Sequence, residues 1–325
     1  MTGTISGRAP DGRPNLATKG RQDQTVFTRV RLNEAGRRSL DDLRARVRGR
    51  NAVYLDYPLH YNIGDLLIML GAMKMLRKEG VQVKVHSTYH SSSPAKLARI
   101  LGKDDLIIFH GGGNFGDIYP AFHSDRLEIV ERFARNEILF FPQTVDFQDH
   151  AVLERTRAIL SKARRLTLLV RDRQSLAVAE QICDNVSLCA DTAHYLGVPH
   201  HHAENDSVLL FRRRDPEAAT GETGFDWSEI VSGADRRVWL GLKVLARAAR
   251  ITPGTTLDRF IFDQWMGRSE TLFERACEKF RQYEFLDADR LHAVILATLL
   301  QMKMRNKDTM YGKIGRYREA WLEAE

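Results

Sequence analysis

The chain has 325 residues, 43% of them hydrophobic and 28% charged, which predicts a globular protein of about two domains with a sizeable buried core. The formal net charge is +7, yet residues 1–50 alone hold twelve basic and five acidic side chains, so the remaining body is neutral. A nucleic-acid enzyme usually carries a basic stripe on its folded domain, and this chain therefore argues against a nucleic-acid partner.

The N-terminal segment, residues 1–50, is predicted to be a basic and largely disordered arm that ends in a short helix. Residues 1–32 are polar and have no hydrophobic periodicity, which is typical of disorder. Residues 33–48 fit a short, mostly polar helix with several arginines. Its basic face is either solvated or in contact with anionic lipid headgroups, which attract such clusters.

Residues 51–205 alternate between apolar strands and helices, which predicts a doubly wound parallel sheet and hence a Rossmann-like domain. The predicted strands are Ala52–Asp56, Val81–His86, Leu106–Phe109, Ile138–Phe141, Leu166–Val170 and Val186–Leu188. The polar stretch Gly197–Asp206 is the predicted linker to a smaller α/β unit, residues 206–325. Two such units joined by a linker leave a cleft between them, where ligands of these folds bind.

The cysteines and the apolar runs predict the compartment of the protein and its contact with membranes. The three cysteines have neither a disulfide framework nor a zinc spacing, which favours the cytoplasm. The N-terminus lacks the apolar core of a signal peptide, and the longest apolar runs, Leu66–Met73 and Ala293–Leu300, are too short to span a bilayer. We therefore predict a cytoplasmic protein whose membrane contact is at most peripheral, at the inner face.

Two polar motifs follow strands of the first sheet. Residues 62–65 (NIGD) open a helix, where Asp65 is either a helix cap or, together with Asn62, a group that holds sugar hydroxyls. Residues 111–117 (GGGNFGD) contain GxGxxG, but no helix opens there and the required acidic residue is missing at the end of the next strand. We therefore expect no dinucleotide site, and the glycines indicate either ligand contact or a tight turn.

Cationic residues lie at two further positions, one where a strand ends and one where a helix begins. Arg171 ends a strand, where a guanidinium suits phosphate or carboxylate, or else pairs with Asp172. Residues 290–292 (RLH) open an apolar helix and combine a cation, a proton-transfer group and free helix amides, which suits an anionic substrate, although such a histidine can also be structural. Asp191 is predicted to cap a helix that starts at Thr192, and residues 212–214 (RRR) are a second cationic candidate.

Taken together, the motifs resemble those of the polysaccharide pyruvyl transferase family, in the family's order and over about Ala52 to Leu322. They are NIGD (62–65), GGGNFGD (111–117), FPQT (141–144), RDRQS (171–175), ADTA (190–193), DRLHA (289–293) and YGKIGRYREAWL (311–322). The resemblance implies two Rossmann-like domains arranged like a GT-B glycosyltransferase, with a cleft between them. It also implies transfer of pyruvate from phosphoenolpyruvate, with phosphate released, onto a sugar of a cell-surface or exopolysaccharide repeat unit as a ketal.

The resemblance also implies the roles of particular residues. The donor, phosphoenolpyruvate, would be held by Arg171, Arg290, Leu291 and His292. His292 would be the catalytic acid/base, and Arg290 would stabilise the departing phosphate. From the expected domain geometry, and not from the resemblance, we predict that the sugar acceptor, free or lipid-linked, is held by Asn62, Gly64, Asp65, Gly112, Gly113, Asn114 and Asp117. The scheme requires no metal and no cofactor.

The chain departs from the family pattern at two places. Ala288 stands where threonine is common, and the charged stretch Met302–Met310 stands where the family has an apolar strand. We expect the second change to replace that strand. Two alternative functions therefore stay open: a GT-B glycosyltransferase that uses a sugar nucleotide, and a non-catalytic glycan-binding relative.

Overall fold

A computed structural model describes residues 27–198, 206–214, 223–306 and 312–325. Within these ranges the chain forms strands in two sheets, flanked by helices. The strands are β1 (Thr28–Leu32), β2 (Asn51–Leu55), β3 (Gln82–Ser87), β4 (Leu106–Phe109), β5 (Gly112–Gly116), β6 (Glu137–Asp146), β7 (Leu166–Val170), β8 (Val186–Leu188), β9 (Val208–Phe211), β10 (Phe285–Ala288), β11 (Lys303–Asn306) and β12 (Leu322–Ala324).

The helices cover the sheets and bury their apolar sides. They are α1 (Glu34–Val47), α2 (Ile63–Lys78), α3 (Pro94–Ile100), α4 (Pro120–Arg132), α5 (His150–Leu160), α6 (Arg173–Ala179), α7 (Gly233–Ile251), α8 (Thr256–Phe280), α9 (Leu291–Leu299) and α10 (Lys313–Trp321). Two short 3-10 helices, Thr192–Tyr195 and Trp227–Glu229, lie between them.

The larger sheet is parallel throughout, as the apolar strand pattern predicted. Its order is β3-β2-β4-β6-β7-β8, and β5 pairs with the second half of β6 after β4 has paired with the first half. Because all the strands run in one direction, their carboxyl ends meet at one edge of the sheet. Asp56, His110 and Arg171 each follow the last residue of a strand at this edge.

The smaller sheet has the order β12-β1-β11-β10-β9, in which β9, β10 and β11 are parallel and β1 is antiparallel to both of its neighbours. The larger of two hydrophobic clusters contains side chains from both sheets. Helix α2 lies within this cluster and packs against α8, α9 and the 3-10 helix Thr192–Tyr195. The start of α2 is thereby brought close to the start of α9. The division into domains 51–205 and 206–325 stays a prediction.

The predicted N-terminal arm is partly wrong. Residues Thr28–Leu32 form β1 rather than a disordered segment, because the backbones of β11 and β12 offer hydrogen-bond partners that no local pattern reveals. The expected helix is present as α1, and it buries Leu40, Leu43 and Val47. Residues 1–26 of the predicted arm lie outside the described residues.

The expected loss of a strand over Met302–Met310 is also wrong for its first part, since Lys303–Asn306 forms β11. The cations of this strand find acidic partners nearby: Arg305 Nε donates to Asp287 Oδ2 at 2.8 Å, and Lys303 Nζ lies 3.6 Å from Glu284 Oε1. A charged stretch can therefore pair in the sheet without burying an unpaired charge. Residues 307–311 lie outside the described residues.

A search of the helices in the described ranges finds none that combines the length and the apolar character needed to cross a bilayer. This agrees with the short apolar runs of the sequence.

Candidate active site

Asp191 is the centre of the site, because it links Arg171 to His292. It follows β8 and is 1% exposed. Its Oδ2 atom lies 3.2 Å from Arg171 Nη1 and 3.4 Å from His292 Nε2. Its Oδ1 atom accepts a hydrogen bond from the Ala193 amide at 2.9 Å, and its own amide donates to the Tyr317 hydroxyl at 3.0 Å. The predicted capping role is confirmed, but one oxygen also orients two candidate catalytic side chains.

Arg171 is buried and held at both ends. Its Nε donates to Thr144 Oγ1 at 2.6 Å, and its carbonyl oxygen accepts from Trp321 Nε1 at 2.7 Å. A Cβ at Gly113 would lie 3.0 Å from Arg171 Nη2, so the missing side chain at position 113 leaves room for the guanidinium. The alternative ion pair with Asp172 is wrong, since Asp172 instead accepts from the Ser175 amide and caps α6.

His292 is the second residue of α9, and 13% of its side chain is exposed. Its Nε2 faces Asp191, whereas Nδ1 lies against α2: a Cβ at Gly64 would come within 2.5 Å of Nδ1. Leu291 is the first residue of the same helix, and the first amides of a helix have no partner within it. The start of α9 therefore presents an imidazole and helix amides beside Arg171, an arrangement suited to an anion.

The electrostatics favour an anionic Asp191. Burial raises the pKa of its carboxyl, but the hydrogen bond from His292 and the nearby charges of His292 and Arg171 outweigh burial and hold that pKa well below its usual range. His194 lies nearby, and here burial itself lowers the pKa, to about 4. It stays neutral near pH 7, and its Nε2 has no hydrogen-bond partner among the described residues.

Arg290 is placed with another carboxylate. Its Nε and Nη2 donate to Asp226 Oδ2 at 3.0 and 2.7 Å. Asp226 caps the 3-10 helix Trp227–Glu229, so Arg290 ties the start of α9 to the loop after β9. Arg290 is close in the chain to Leu291 and His292, while these two hydrogen bonds join it to Asp226 and not to Asp191.

The NIGD motif begins α2 and lies beside the glycine motif. Asn62, rather than Asp65, is the cap: its side chain accepts from the Gly64 amide at 3.2 Å and donates to Asp65 Oδ2 at 2.9 Å. Gly112 has φ +135°, a value that L side chains rarely adopt, and a Cβ there would lie 3.8 Å from Asp65 Oδ1 and 4.0 Å from Asn114 Oδ1. The predicted acceptor residues Asn62, Gly64, Asp65, Gly112 and Asn114 are therefore brought together.

Asp117, the last residue of the glycine motif, has a different position. Its Oδ2 accepts from the amides of Gln148 and Asp149 at 2.8 and 2.6 Å and so holds the loop after β6. Gly116 is required by packing, because a Cβ would lie 1.7 Å from the carbonyl oxygen of Asp146. The two alternatives for the motif therefore apply to different glycines. The first glycines face the site, whereas the last is required because a side chain there would clash with the backbone. The motif forms β5 and opens no helix, as expected.

A pocket of about 420 Å³, including its part open to solvent, lies at the carboxyl ends of β2, β3 and β4. Asp65 and Asn114 line it, which joins it to the NIGD and glycine motifs. Its aromatic wall is formed by Tyr89 and Phe122, whose rings stack at 4.2 Å between centroids. A polar pocket with an aromatic wall suits a sugar ring, which has both hydroxyls and apolar C–H faces.

His110 also lines this pocket, and the sequence did not single it out. It is 3% exposed, its Nδ1 lies 2.7 Å from the Tyr54 hydroxyl, and its Nε2 has no partner among the described residues. Burial lowers the pKa of His110 to about 3, so the imidazole is neutral near pH 7. Its position directly after β4 was the available signal, because side chains at this edge meet.

Asp56 was missed in the same way. It follows β2 with φ +67°, an uncommon value for a residue with a side chain, and Arg126 Nε donates to its carboxylate at 2.5 Å. Arg126 Nη2 also donates to Asn114 Oδ1 at 2.9 Å, so this buried pair holds Asn114 at the pocket. Within the second cationic candidate, Arg212 is structural, because it is buried beside Asp287 at 3.0 Å from Oδ1, and Arg214 is exposed and pairs with Glu229 at 2.7 Å. Within the described ranges, no group of three or more His, Cys, Asp or Glu could hold a metal ion.

Comparisons with known proteins identify the family of the chain. A sequence model of the polysaccharide pyruvyl transferase family matches residues 62–302. EpsO of Bacillus subtilis, named as a pyruvyl transferase, is 32% identical over 282 residues, covering 83% of this chain and 85% of that protein. Pyruvyl transferase 1 of Schizosaccharomyces pombe is 25% identical over 288 residues, covering 84% and 70% of the two chains.

The fold has a counterpart among solved structures. An uncharacterized protein from Klebsiella pneumoniae subsp. pneumoniae aligns with a TM-score of 0.51 at 17% identity, covering 87% of this chain and 93% of that chain. At this identity the likeness shows the fold alone. The family match spans most of the chain and includes Arg171, Asp191 and His292. On this match and the similarity to EpsO, the chain belongs to the polysaccharide pyruvyl transferase family.

Proposed function

We propose that the protein transfers pyruvate from phosphoenolpyruvate onto a sugar of a cell-surface or exopolysaccharide repeat unit, forming a ketal and releasing phosphate. The single observation that carries the proposal is the pairing of Arg171 and His292 through Asp191. This pairing fixes an anion-binding cation and a proton-transfer group side by side. Family membership supplies the class of reaction, and the choice of donor is part of the proposal.

The donor carries a phosphate and a carboxylate, so it needs at least two groups that bind anions. Arg171 supplies a fixed guanidinium, and the amides at Leu291 and His292 supply the start of a helix. Arg290 stands one residue before this helix and supplies the second cation. Because Arg171 and His292 share Asp191, the site keeps their geometry before the donor arrives, which lowers the reorganisation needed for reaction.

His292 acts as the acid and base. Ketal formation begins when a proton adds to the methylene carbon of phosphoenolpyruvate and positive charge develops at C2. A sugar hydroxyl then forms a C–O bond to C2 and loses its proton, and the C–O bond to phosphate breaks with its electron pair leaving on the phosphate. A second hydroxyl adds to C2, closes the ring and gives its proton to the departing phosphate. His292 delivers the first proton and accepts the proton of the first hydroxyl, while Asp191 Oδ2 lies 3.4 Å from its Nε2.

The acceptor sugar occupies the pocket lined by Asp65, Asn114, His110, Tyr89 and Phe122. Carboxylate, amide and imidazole groups there bind hydroxyls, and the aromatic pair covers one face of the ring. The pocket adjoins the donor site through two backbone segments: residues 64–65 lead to His292, and residues 112–113 lead to Arg171. The proposal includes the GT-B-like arrangement of two Rossmann-like domains, with the acceptor on the first and the donor between Arg171 of the first and the start of α9 in the second.

Thermal unfolding of the full chain tests the donor assignment. Millimolar phosphoenolpyruvate should raise the melting temperature, since a ligand at 100 times its Kd stabilises the native state by about 2.7 kcal/mol, whereas UDP-glucose should not. A shift with UDP-glucose alone would favour the alternative glycosyltransferase. Phosphate release from phosphoenolpyruvate is then measured with a panel of uncharged hexose glycosides as acceptors.

Two variants test the residues. His292→Ala and Arg290→Ala should each lower phosphate release at least about 10²-fold while the protein stays folded, as expected for a lost acid/base or anion contact. Full activity in either variant would remove that residue from the mechanism. A chain that binds phosphoenolpyruvate but releases no phosphate with any acceptor would favour the non-catalytic, glycan-binding alternative.

A further inference from the structure

Helix α7 has an exposed apolar stripe. Leu240 and Val244 are each 57% exposed and Ile251 is 87% exposed. At 3.6 residues per turn, these three side chains point within roughly 40° of one another. The buried residues of α7 beyond its first turn, Leu242, Ala246 and Ala249, point in the opposite direction. The stripe is therefore the side of the helix that faces furthest from the protein.

Basic side chains flank the stripe. They are Arg236, Arg237, Lys243, Arg247 and Arg250. Arg237 lies on one side of it and the other four on the opposite side, as the helical spacing requires. The acidic residue of α7, Asp235, is buried and bound to Arg268 and Arg275, so it does not offset this charge at the surface. Among the described residues, neither Arg237 nor Arg247 forms an ion pair.

We propose that this face of α7 docks on a bilayer that contains anionic phospholipid. Aliphatic side chains in the middle and long cationic side chains on both sides are the pattern of helices that lie in the membrane interface. Arginine and lysine bind the headgroups while their apolar stems extend along the acyl boundary.

Charge complementarity favours lipid over a second copy of the chain. A two-fold interface through α7 would bring the five cations of one copy against the same five of the other, since both copies contribute the same patch. Asp125 pairs with Arg250 at 3.4 Å, and an anionic bilayer supplies the negative charge for the other four basic side chains. The docking surface also differs from the N-terminal arm, where the basic residues of 1–26 are found.

The docking face lies beside the proposed acceptor pocket. Trp239 Nε1 donates to the carbonyl oxygen of Leu59 at 2.6 Å, and Arg250 Nη1 donates to that of Tyr89 at 3.3 Å. Leu59 and Tyr89 both line the pocket. Docking would therefore hold the pocket near the headgroups, where a lipid-linked saccharide presents its sugars. This consequence rests on the proposed function, whereas the docking itself does not.

Vesicle flotation of the full chain tests the docking. The protein should float with vesicles of phosphatidylcholine and phosphatidylglycerol, and not with phosphatidylcholine alone. The combined variant Leu240→Ser, Val244→Ser and Ile251→Ser changes only exposed side chains and should lower the bound fraction at least about tenfold. The pair Arg237→Gln and Arg247→Gln should lower partitioning by about the same factor or more.

Two matched controls separate α7 from general attraction. The pair Arg155→Gln and Arg157→Gln removes two exposed arginines from α5 and should leave flotation unchanged. Neutralising the arm should also leave most of the binding in place; that variant carries Arg8→Gln, Arg13→Gln, Lys19→Gln and Arg21→Gln. Flotation that survives the α7 substitutions but is lost with the arm variant overturns the proposal, as does a wild-type chain that does not float.

Light scattering without lipid tests whether a second copy of the chain, rather than lipid, covers the stripe. A wild-type dimer that the triple serine variant converts to monomers would assign the stripe to a second copy and overturn the lipid proposal. Because flotation needs no phosphoenolpyruvate, the two proposals fail separately. A chain that floats but neither binds nor turns over phosphoenolpyruvate overturns the proposed function and leaves the docking surface in place.

Discussion

The imidazole of His292 lies so close to the backbone of Gly64 that a Cβ at position 64 would come within 2.5 Å of Nδ1. This contact joins the start of α2, which follows the larger sheet's β2, to the start of α9, which follows β10 of the smaller sheet. With Nε2 facing Asp191, both ring nitrogens have defined surroundings. The proton-transfer group of the proposed site is thus positioned by elements from both sheets.

Substitution of Gly64 tests whether the position of His292 controls activity independently of the stability of the fold. Gly64→Ala places a methyl group where the imidazole now lies, and a displacement of about 1 Å can cost about 10²-fold in turnover. We expect kcat for phosphate release to fall by that factor. The matched control is Gly267→Ala in α8, whose Cβ would meet nothing within 4 Å. It should raise the free energy of unfolding by about 1 kcal/mol and leave kcat unchanged. Wild-type turnover in Gly64→Ala would contradict the role of His292.

Asp191→Asn should lower kcat at least about 10²-fold, because Arg171 and His292 lose the charge that orients them. The free energy of unfolding should fall by about 3 kcal/mol, since a buried guanidinium loses its counter-ion. Asp172→Asn is the matched control: Asp172 is also buried and caps a helix, but it bonds to Ser175. Asparagine caps a helix as well as aspartate does, so this variant should lose only the bond from the Ser175 hydroxyl, cost about 1 kcal/mol and leave kcat unchanged. Equal losses of activity in the two variants would show that Asp191 acts through stability alone.

Variants of Arg290 and Asp226 distinguish a direct contact of Arg290 with the donor from a structural role of its bond to Asp226. Arg290→Gln removes a cation and should raise the KM for phosphoenolpyruvate about tenfold or more, as a lost charge-assisted hydrogen bond does. Asp226→Asn keeps the cation and removes the carboxylate it binds, so KM should stay near the wild-type value while the melting temperature falls. An equal rise of KM in both variants would mean that Arg290 acts by holding the loop at Asp226.

Buried histidines should make the protein less stable in mild acid. Burial lowers the pKa of His110 to about 3 and that of His194 to about 4, from an ordinary value of 6.5. Between these values and pH 6.5 the unfolded chain binds protons that the folded chain does not. Each histidine should therefore lower the free energy of unfolding by about 1.4 kcal/mol per pH unit as the pH falls below 6.5.

Urea unfolding at pH 7, 6 and 5 measures this slope. His194→Asn should reduce this slope by the contribution of one histidine, regardless of how much the substitution changes the free energy of unfolding at pH 7. Asp191 acts in the same sense but in a lower window: its depressed pKa adds stability above its ordinary value of 3.8, and that stability is lost only as the pH falls further. A slope unchanged by His194→Asn would contradict a neutral, buried His194.

Most of the larger sheet could be predicted because its strands are continuous apolar runs. Leu106–Phe109, Leu166–Val170 and Val186–Leu188 were predicted with the bounds they have. The strand Gly112–Gly116 was missed because it has no apolar run, and it forms only where the second half of β6 offers backbone partners. In the same way, β1 and β11 are polar segments that pair with each other across the chain.

Local patterns suffice to predict the parallel α/β sheet and the reactive side chains that lie where strands end and helices begin, because apolar periodicity and helix starts are local properties. Which of these side chains meet depends on the packing of elements that are distant in the chain. Asp191 joins Arg171, 20 positions away, and His292, 101 positions away. Arg290, adjacent to His292 in the chain, turns instead to Asp226. Such pairings depend on how α9 packs against α2 and the 3-10 helix Thr192–Tyr195, which no local pattern encodes.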